Sequence, residues 1–316
     1  MTSDQRVVVT GAAGFLGAHV CRRLVARGER VTGIDNLSTG HIDNLASLAG
    51  QPGFEFLCGD VTEPLALDGL VRAVVHLACP ASPVAFAAMP LATLRAGSVG
   101  TLNALDLARA KDARFLLASS SEVYGDPQVH PQEEGYRGNV DPTGPRSVYD
   151  EAKRFGEAAA AAYRRAHGVD TAIMRPFNAY GPGMQPSDGR VVAAFCAAAL
   201  RGQPLRLHGD GKQTRSLCYV DDLIDGLLAM LDSDEPGPVN LGSPDEITMR
   251  ELASKITEAA GGGEIEFVAA RQQDIAVRCP DISRARELLG WQPVTPLEVG
   301  LARTLAWMRY RLAEAG

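Results

Sequence analysis

The sequence predicts an α/β fold, a doubly wound parallel sheet followed by a smaller C-terminal α/β part, and three observations point to it. Short β-branched runs alternate with helical stretches as far as about residue 178, and the first of those runs leads into a glycine-rich turn. The chain has 316 residues, 46% apolar and 22% charged, an ordinary globular balance that excludes disorder as the main state. A chain of this length hides about 75% of the surface its unfolded form exposes, so it holds a core without disulfides or metals.

Arg6 to Thr10 (RVVVT) is too short for a helix and is followed by glycine, so it reads as a buried strand. From Gly14 to Ala26, Phe15, Leu16, Val20 and Leu24 recur at helical spacing until Gly28 stops the helix. Further strands are predicted at Arg30–Ile34, Phe54–Cys58, Ala73–Leu77, Arg114–Ala118 and Asp170–Met174, with helices over Leu91–Arg109 and Val148–His167. Strands separated by helices pair in parallel through right-handed crossovers. Beyond about residue 178 the texture changes: Gly181, Pro182, Gly183, Pro186 and Gly189 punctuate a loop. Turns follow at Gly209-Asp210-Gly211, Glu235-Pro236-Gly237 and Gly261-Gly262-Gly263. The apolar Tyr219–Leu231 and the strand-like Pro238–Leu241 are expected to return to the first part. Residues 1–178 and 213–242 then form one unit, and 179–212 and 243–316 the other.

Thirty-one basic and 38 acidic residues give a net charge of −7, the opposite of the basic surplus a nucleic-acid binder needs. The positive charge is nearly all arginine, with lysine only at Lys111, Lys153, Lys212 and Lys255. Cys21, Cys58, Cys79, Cys196, Cys218 and Cys279 form no C-x-x-C pair, and the histidines show no metal-ligand spacing. The cysteines therefore read as reduced thiols packed as small apolar side chains, and no metal site is expected. No run reaches the ~18 apolar residues of a membrane span, and the first residues enter a strand rather than a signal segment. A cytoplasmic protein without membrane or nucleic-acid partners is the expectation.

The first strand runs into Gly11-Ala-Ala-Gly14-Phe15-Leu16-Gly17 and then a helix. Glycine is needed where the turn is tight and where backbone approaches a pyrophosphate seated at a helix N-terminus. A glycine triplet alone is a weak signal. Here a strand precedes it, a helix follows it, and Asp35 ends the second strand 21 residues after Gly14, the context of a Rossmann-like dinucleotide site. Asp35 can accept hydrogen bonds from a ribose diol and would repel a 2′-phosphate, and Asn36 and Leu37 bring no arginine to offset it, so NAD is favoured over NADP. Asp60, after the third strand, reads equally as an adenine contact or as an ordinary turn aspartate.

Tyr149 and Lys153 stand four apart on a predicted helix and share a face. A phenol of pKa about 10 is a poor base at neutral pH, and an adjacent ammonium favours phenolate. Ser119, Ser120 and Ser121 lie just past the strand Arg114–Ala118, where parallel sheets build ligand sites. Seven tyrosines and four lysines in this length give about 0.09 such pairs by chance, so the pair gains its weight from context; otherwise it is a helix-surface pair.

The glycine motif, the strand-end serines and Tyr-x-x-x-Lys together resemble the extended short-chain dehydrogenase/reductases. HLACPASP (His76–Pro83), LLASSSEVYGDPQVHPQ (Leu116–Gln132), GPRSVYDEAKR (Gly144–Arg154), and DGRVV with GDGKQTRSLCYVDDL (Asp188–Val192, Gly209–Leu223) make the chain similar, over almost its whole length, to the UDP-glucuronate decarboxylases (UDP-xylose synthases).

The resemblance implies that the sugar 4-hydroxyl is oxidised with bound NAD, Tyr149 taking its proton while Lys153 tunes Tyr149 and holds the ribose. The resulting 4-keto sugar is a β-keto acid; it loses carbon dioxide, the enolate is reprotonated, and return of the hydride gives UDP-xylose with the cofactor recycled. A hydroxyl pair and a carboxylate map onto Ser120, Ser121 and Glu122, and the arginine beside the substrate carboxylate onto Arg278 in RCPD (Arg278–Asp281). Bidentate, charge-assisted bonding makes an arginine suitable there. Cofactor contacts are implied for Gly11, Gly14, Phe15, Leu16 and Gly17, and past the second strand for Asp35, Asn36, Ser38, Thr39 and Gly40. They are implied also for Asp60, Val61, Leu77, Ala78, Ser119, Tyr149 and Lys153, and UDP contacts for Asn178, Arg190, Val191 and Arg215. The first unit would be the NAD-binding domain and the second the UDP-sugar-binding domain.

Three departures bear on fine specificity more than on reaction class: Arg95-Ala96-Gly97 replaces Lys-Thr-Asn, Ser120 replaces threonine, and Met89-Pro90 lacks an asparagine. UDP-hexose 4-epimerases and 4,6-dehydratases share the oxidation at carbon 4. A dehydratase needs an adjacent acid/base carboxylate pair, whereas Ser121 precedes Glu122 here. A non-catalytic NAD-sensing protein would be expected to lose the Tyr/Lys pair. Homodimerisation through Leu91–Arg109 and Val148–His167, as a four-helix interface, is the family-level expectation.

Overall fold

Val7, Val8 and Val9 are all buried, so the first strand is covered on both faces and must lie inside a layered sheet. In the computed structural model, which describes residues 5–270 and 277–314, this strand, β1 (Arg6–Thr10), is flanked by β2 (Arg30–Asp35) and β4 (Val71–His76). β3 (Phe54–Cys58) lies outside β2. On the other side β4 is followed by β5 (Arg114–Ala118), β6 (Thr171–Pro176) and β11 (Val239–Leu241), giving a seven-stranded parallel sheet of order β11-β6-β5-β4-β1-β2-β3. The chain progresses in opposite directions on the two sides of β1 and β4. Between their C-terminal ends lies the crevice where open α/β sheets bind ligands.

Alternate side chains sort into two packed layers. Val7, Val9, Leu116 and Ala118 face a core shared with Leu24 of α1 (Phe15–Ala26) and Leu227 of α7 (Val220–Leu231). Val8, Val74, Phe115 and Leu117 face Leu105 of α4 (Thr101–Ala110) and Ala160 of α5 (Ser147–His167). Short strands beyond β6 build the rest: β7 (Ala179–Tyr180) pairs with β10 (Cys218–Tyr219), β8 (Leu205–His208) with β13 (Ile265–Val268), and β9 (Thr214–Ser216) with β12 (Glu246–Thr248). α6 (Val191–Leu200) and α8 (Met249–Ala260) pack beside them, α8 beginning with a reciprocal Thr248–Glu251 capping box. α9 (Ser283–Leu289) and α10 (Leu297–Glu314) complete the chain. No helix among the described residues is long and apolar enough to cross a membrane.

The α/β class and the parallel sheet are as the sequence predicts, and Tyr219–Leu231 and Pro238–Leu241 do rejoin the sheet as α7 and β11. Element ends move: the strand expected at Ala73–Leu77 is Val71–His76, and that at Asp170–Met174 is Thr171–Pro176. The single helix expected over Leu91–Arg109 is α3 (Pro90–Arg95), a π turn over Ala96–Gly100, and α4; the short α2 (Pro83–Ala88) precedes it. A Cβ on Gly97 would lie 2.4 Å from the Cβ of Ala152, so the missing side chain lets α5 lie directly against the π turn. The Gly97 departure thus has a packing counterpart.

Gly97→Ala is expected to destabilise the protein by about 1–3 kcal/mol, the cost of overpacking a tight contact. Thermal denaturation measures it, and a Tm equal to wild type would contradict the close packing of α5 on the turn.

Candidate active site

The C-terminal end of β5 delivers Ser119, Ser120 and Ser121 into a 3₁₀ turn spanning Ser121–Tyr124, and the Ser120 Oγ accepts from the Glu122 N–H at 3.2 Å. α5 starts opposite, with Tyr149 in its first turn and Lys153 one turn on. Lys153 Nζ donates to the Ala118 carbonyl at 2.9 Å and lies 5.6 Å from the Tyr149 ring centre. The Tyr149 ring stacks on Phe86 with centroids 5.3 Å apart. Burial pushes the Tyr149 phenol well above its usual range, Cys79 adds to this, and a hydrogen bond with the Ser120 hydroxyl opposes it. Burial also lowers Lys153. Desolvation is thus the largest influence on the Tyr149 phenol. Beneath the pair, His76 bridges Thr10 (2.8 Å) and Thr101 (3.2 Å). Burial, followed by repulsion from Lys153, lowers its pKa to about 3, so it stays neutral.

The nucleotide end is built of backbone. Gly11 has φ of 72°, and a Cβ there would lie 2.9 Å from the Ala78 nitrogen; a Cβ on Gly17 would meet the Gly11 carbonyl. Gly14 caps α1 without a side chain, leaving the helix start open to an anion. Asp35 is buried and accepts from the Ala13 N–H at 3.0 Å and the Leu37 N–H at 2.8 Å, so it holds the glycine turn as well as the end of β2. Burial raises its pKa, and those backbone donors oppose the rise. Asn36 donates to Asp60 at 2.9 Å and its Oδ1 accepts from the Ser38 N–H, while Asp60 also accepts from both Thr62 donors. This cradle fits NAD: a side-chain-free helix start for the pyrophosphate, and a fixed carboxylate at Asp35 for a ribose diol. Ser119, expected among the cofactor contacts, donates its hydroxyl to Glu157 at 2.6 Å, and Glu157 in turn receives two bonds from Arg175.

A cavity of about 250 Å³ opens beside Tyr149 and gathers Glu122, Asn178, Arg190, Val191, Arg215 and Arg278, residues scattered over the sequence. Arg190 is held by both carboxylate oxygens of Asp188 and lies 5.7 Å from the Phe15 ring centre, at the start of α1. Glu122 is clamped between two guanidiniums, Arg278 on one oxygen and Arg146 on the other at 2.6 Å. Burial alone would raise Glu122, but the two arginines prevail and hold it down at about 2. Arg278 is positioned by its neighbour: Gln132 exchanges backbone and side-chain hydrogen bonds with Cys279, and its carbonyl accepts from the Asp281 N–H. Asp150, also buried, is pushed up to about 7, first by burial and then by repulsion from Glu122. Sequence reasoning assigned no role to Phe86, Arg146, Asp150 or Glu157. Arg146, one helical turn before Tyr149 within GPRSVYDEAKR, carried the only local hint.

The chain matches the model of the NAD dependent epimerase/dehydratase family over residues 7–242 and belongs to that family. More narrowly, it is 49% identical over 308 residues to UDP-glucuronic acid decarboxylase 1 of Arabidopsis thaliana, covering 97% of this chain and 70% of that protein. Among solved structures it is similar to a dTDP-glucose 4,6-dehydratase from Streptomyces venezuelae with NAD bound, at 29% identity and a TM-score of 0.89, covering 98% of each chain. A UDP-glucuronic acid 4-epimerase from Bacillus cereus, solved with NAD and a fluorinated UDP-glucuronic acid analogue, is 26% identical with a TM-score of 0.86, over 97% of this chain and 100% of that one.

Because Asp150 binds its proton more tightly in the folded protein than the ~3.9 of an unfolded aspartate, it stabilises the fold at low pH, and that contribution is lost as pH rises from about 4 through 7. Asp150→Asn is therefore expected to gain Tm relative to wild type between pH 5 and pH 8. A difference independent of pH would show that Asp150 does not titrate in this window.

Proposed function

We propose that the protein is an NAD-dependent UDP-glucuronate decarboxylase that forms UDP-xylose through a UDP-4-keto intermediate. The observation that carries this reading is the placement of Arg278 and Glu122 in the same cavity as Tyr149, whose ring has Lys153 beside it. NAD bound in the cradle supplies reversible hydride acceptance. Tyr149 accepts the 4-hydroxyl proton once its own proton has been relayed away, with Ser120 as its hydrogen-bond partner and Lys153 fixed beneath the ring. Arg278 orients the carboxylate on carbon 5. With a ketone at carbon 4, the bond from carbon 5 to the carboxylate breaks and its electron pair passes to the ketone oxygen as an enolate, releasing carbon dioxide. A proton then adds at carbon 5, and Tyr149 returns a proton to the oxygen at carbon 4 as it is reduced. Asn178, Arg190, Val191 and Arg215 line the cavity where the UDP would lie; three of them carry polar or cationic groups suited to phosphate and uracil. Residues 1–178 with 213–242 would hold NAD, and 179–212 with 243–316 the UDP-sugar.

A homodimer is part of the proposal. Leu91, Val99 and Phe155 are 70%, 43% and 41% exposed along α3, the π turn and α5, an apolar surface that a second copy would cover. A cytoplasmic location fits six free cysteines.

Incubation with UDP-glucuronate and NAD+ should release carbon dioxide and give UDP-xylose by NMR; UDP-galacturonate as the product, or unchanged substrate, would overturn the reading. Tyr149→Phe should lower kcat by about 10²–10⁴-fold with NAD binding retained, and a variant as active as wild type would remove Tyr149 from the proton transfer. Light scattering should give twice the chain mass. A monomer would contradict the shared helical face.

A further inference from the structure

A groove between α8 and Thr295–Leu297 is lined by charges of both signs and holds no unpartnered group that points to a ligand. The Ser119–Glu157–Arg175–Tyr124 network is saturated by its own bonds. The cluster around Glu122 is different. Among the described residues, Arg146 Nε, Arg278 Nε and Asp150 Oδ1 are all buried atoms without a hydrogen-bond partner, and all three belong to this one cluster.

Its charges are also unbalanced on the side of the cavity. Two guanidiniums, Arg146 and Arg278, face a single ionised carboxylate, Glu122, and both line the cavity with Tyr149. Asp150, the other acid in the group, has Glu122 and Glu151 as like-charged neighbours and Arg146 and Arg278 as opposite ones. Burial and Glu122 together favour its protonated form near neutral pH. Two guanidiniums therefore face one carboxylate, and the buried Arg278 and the partly exposed Arg146, each with an unused Nε donor, are suited to one more carboxylate. Arg146 is held in place for this by its stem and plane: its guanidinium lies 5.6 Å from the Phe86 ring centre, and its backbone carbonyl accepts from the Tyr149 N–H in the first turn of α5.

We propose that Arg146 is a second guanidinium that binds the uronate carboxylate directly, sharing Glu122 with Arg278, and so makes the site specific for a sugar bearing an acid at carbon 5. The inference rests on the proposed reading of the substrate as UDP-glucuronate. It separates ligands by a single group: UDP-xylose has the same nucleotide and ring but no carboxylate.

Titration calorimetry of the NAD-loaded protein in a Tyr149→Phe background, which slows turnover, tests it, with the recovered ligand checked by NMR for conversion. Arg146→Met keeps most of the stem that covers Phe86 and removes the charge. It should weaken UDP-glucuronate about tenfold or more while UDP-xylose changes less than about twofold, and Arg146→Lys should recover part of the loss. Equal weakening of both ligands, or no change in either, would overturn the inference. To separate direct contact from release of the Glu122 charge, the same comparison is made with Glu122→Gln: a persisting penalty supports direct contact, and its disappearance overturns it. Should the Arg146→Met protein not fold, judged by its melting curve, the Arg146→Lys and Arg146→Gln variants carry the same ligand comparison. Wild-type protein that discriminates the two ligands through Arg146 yet makes no UDP-xylose would refute the decarboxylase reading while supporting the carboxylate contact.

Discussion

The carboxylate of Glu122, buried between Arg146 and Arg278, ties together three distant stretches of chain. It joins the turn after β5, the start of α5 and the segment after β13, the last of these 156 residues away from Glu122 in sequence. An ionised carboxylate cannot be buried alone; pairing with two guanidiniums satisfies it, and removing either partner would leave an uncompensated charge. That electrostatic necessity brings the short C-terminal elements over the crevice of the sheet. The neutral network around it serves the same end. Gln132 is anchored to Cys279, and Asn240 of β11 donates to the Gln132 and Asp281 carbonyls, so the strand edge and the Arg278 segment are held in a common frame.

Within that frame the two ends of the site are built by different physics. The nucleotide cradle is mostly backbone: glycines let strand and helix approach, Asp35 ties the turn, and the open start of α1 supplies partial positive charge. The catalytic end is desolvated. Tyr149, Lys153 and His76 are each pushed by burial toward their neutral forms, so the resting site holds its protons ready rather than storing a phenolate. A cationic ring bound beside Tyr149 would shift that balance toward ionisation, as an opposite charge does in a low dielectric.

What could be read from the sequence was what is local. Gly11–Gly17 followed by a helix, Asp35 at the end of β2, and Tyr149 four residues before Lys153 each declare themselves over a few positions, because turn geometry and helical spacing are short-range. Arg278 has no local signature; only resemblance pointed to it, since its meaning depends on Glu122 across the fold. Asp150 and Glu157 read as ordinary acidic positions on an amphipathic helix. Burial makes them otherwise: Glu157 receives Ser119 and Arg175, and Asp150 is driven toward its neutral form by a neighbour on another element. The π turn was equally hidden, because the space that Gly97 leaves is filled by Ala152, far along the chain.

In the reaction proposed above, the fate of the ketone at carbon 4 is decided at carbon 5 and its substituent. With the uronate held by Arg146 and Arg278 as proposed, these two guanidiniums would stand against Glu122 and the substrate carboxylate, two charges of each sign. Loss of carbon dioxide passes the substrate's charge to the enolate oxygen, the proton added at carbon 5 discharges it, and the balance returns to the resting cluster in which Glu122 alone faces both guanidiniums. The decarboxylated sugar then has no anion to hold it on this side and keeps only its UDP contacts. The same cluster can therefore favour the acid on entry and loosen its grip as the acid is lost, coupling recognition to the irreversible step without any movement of the sheet.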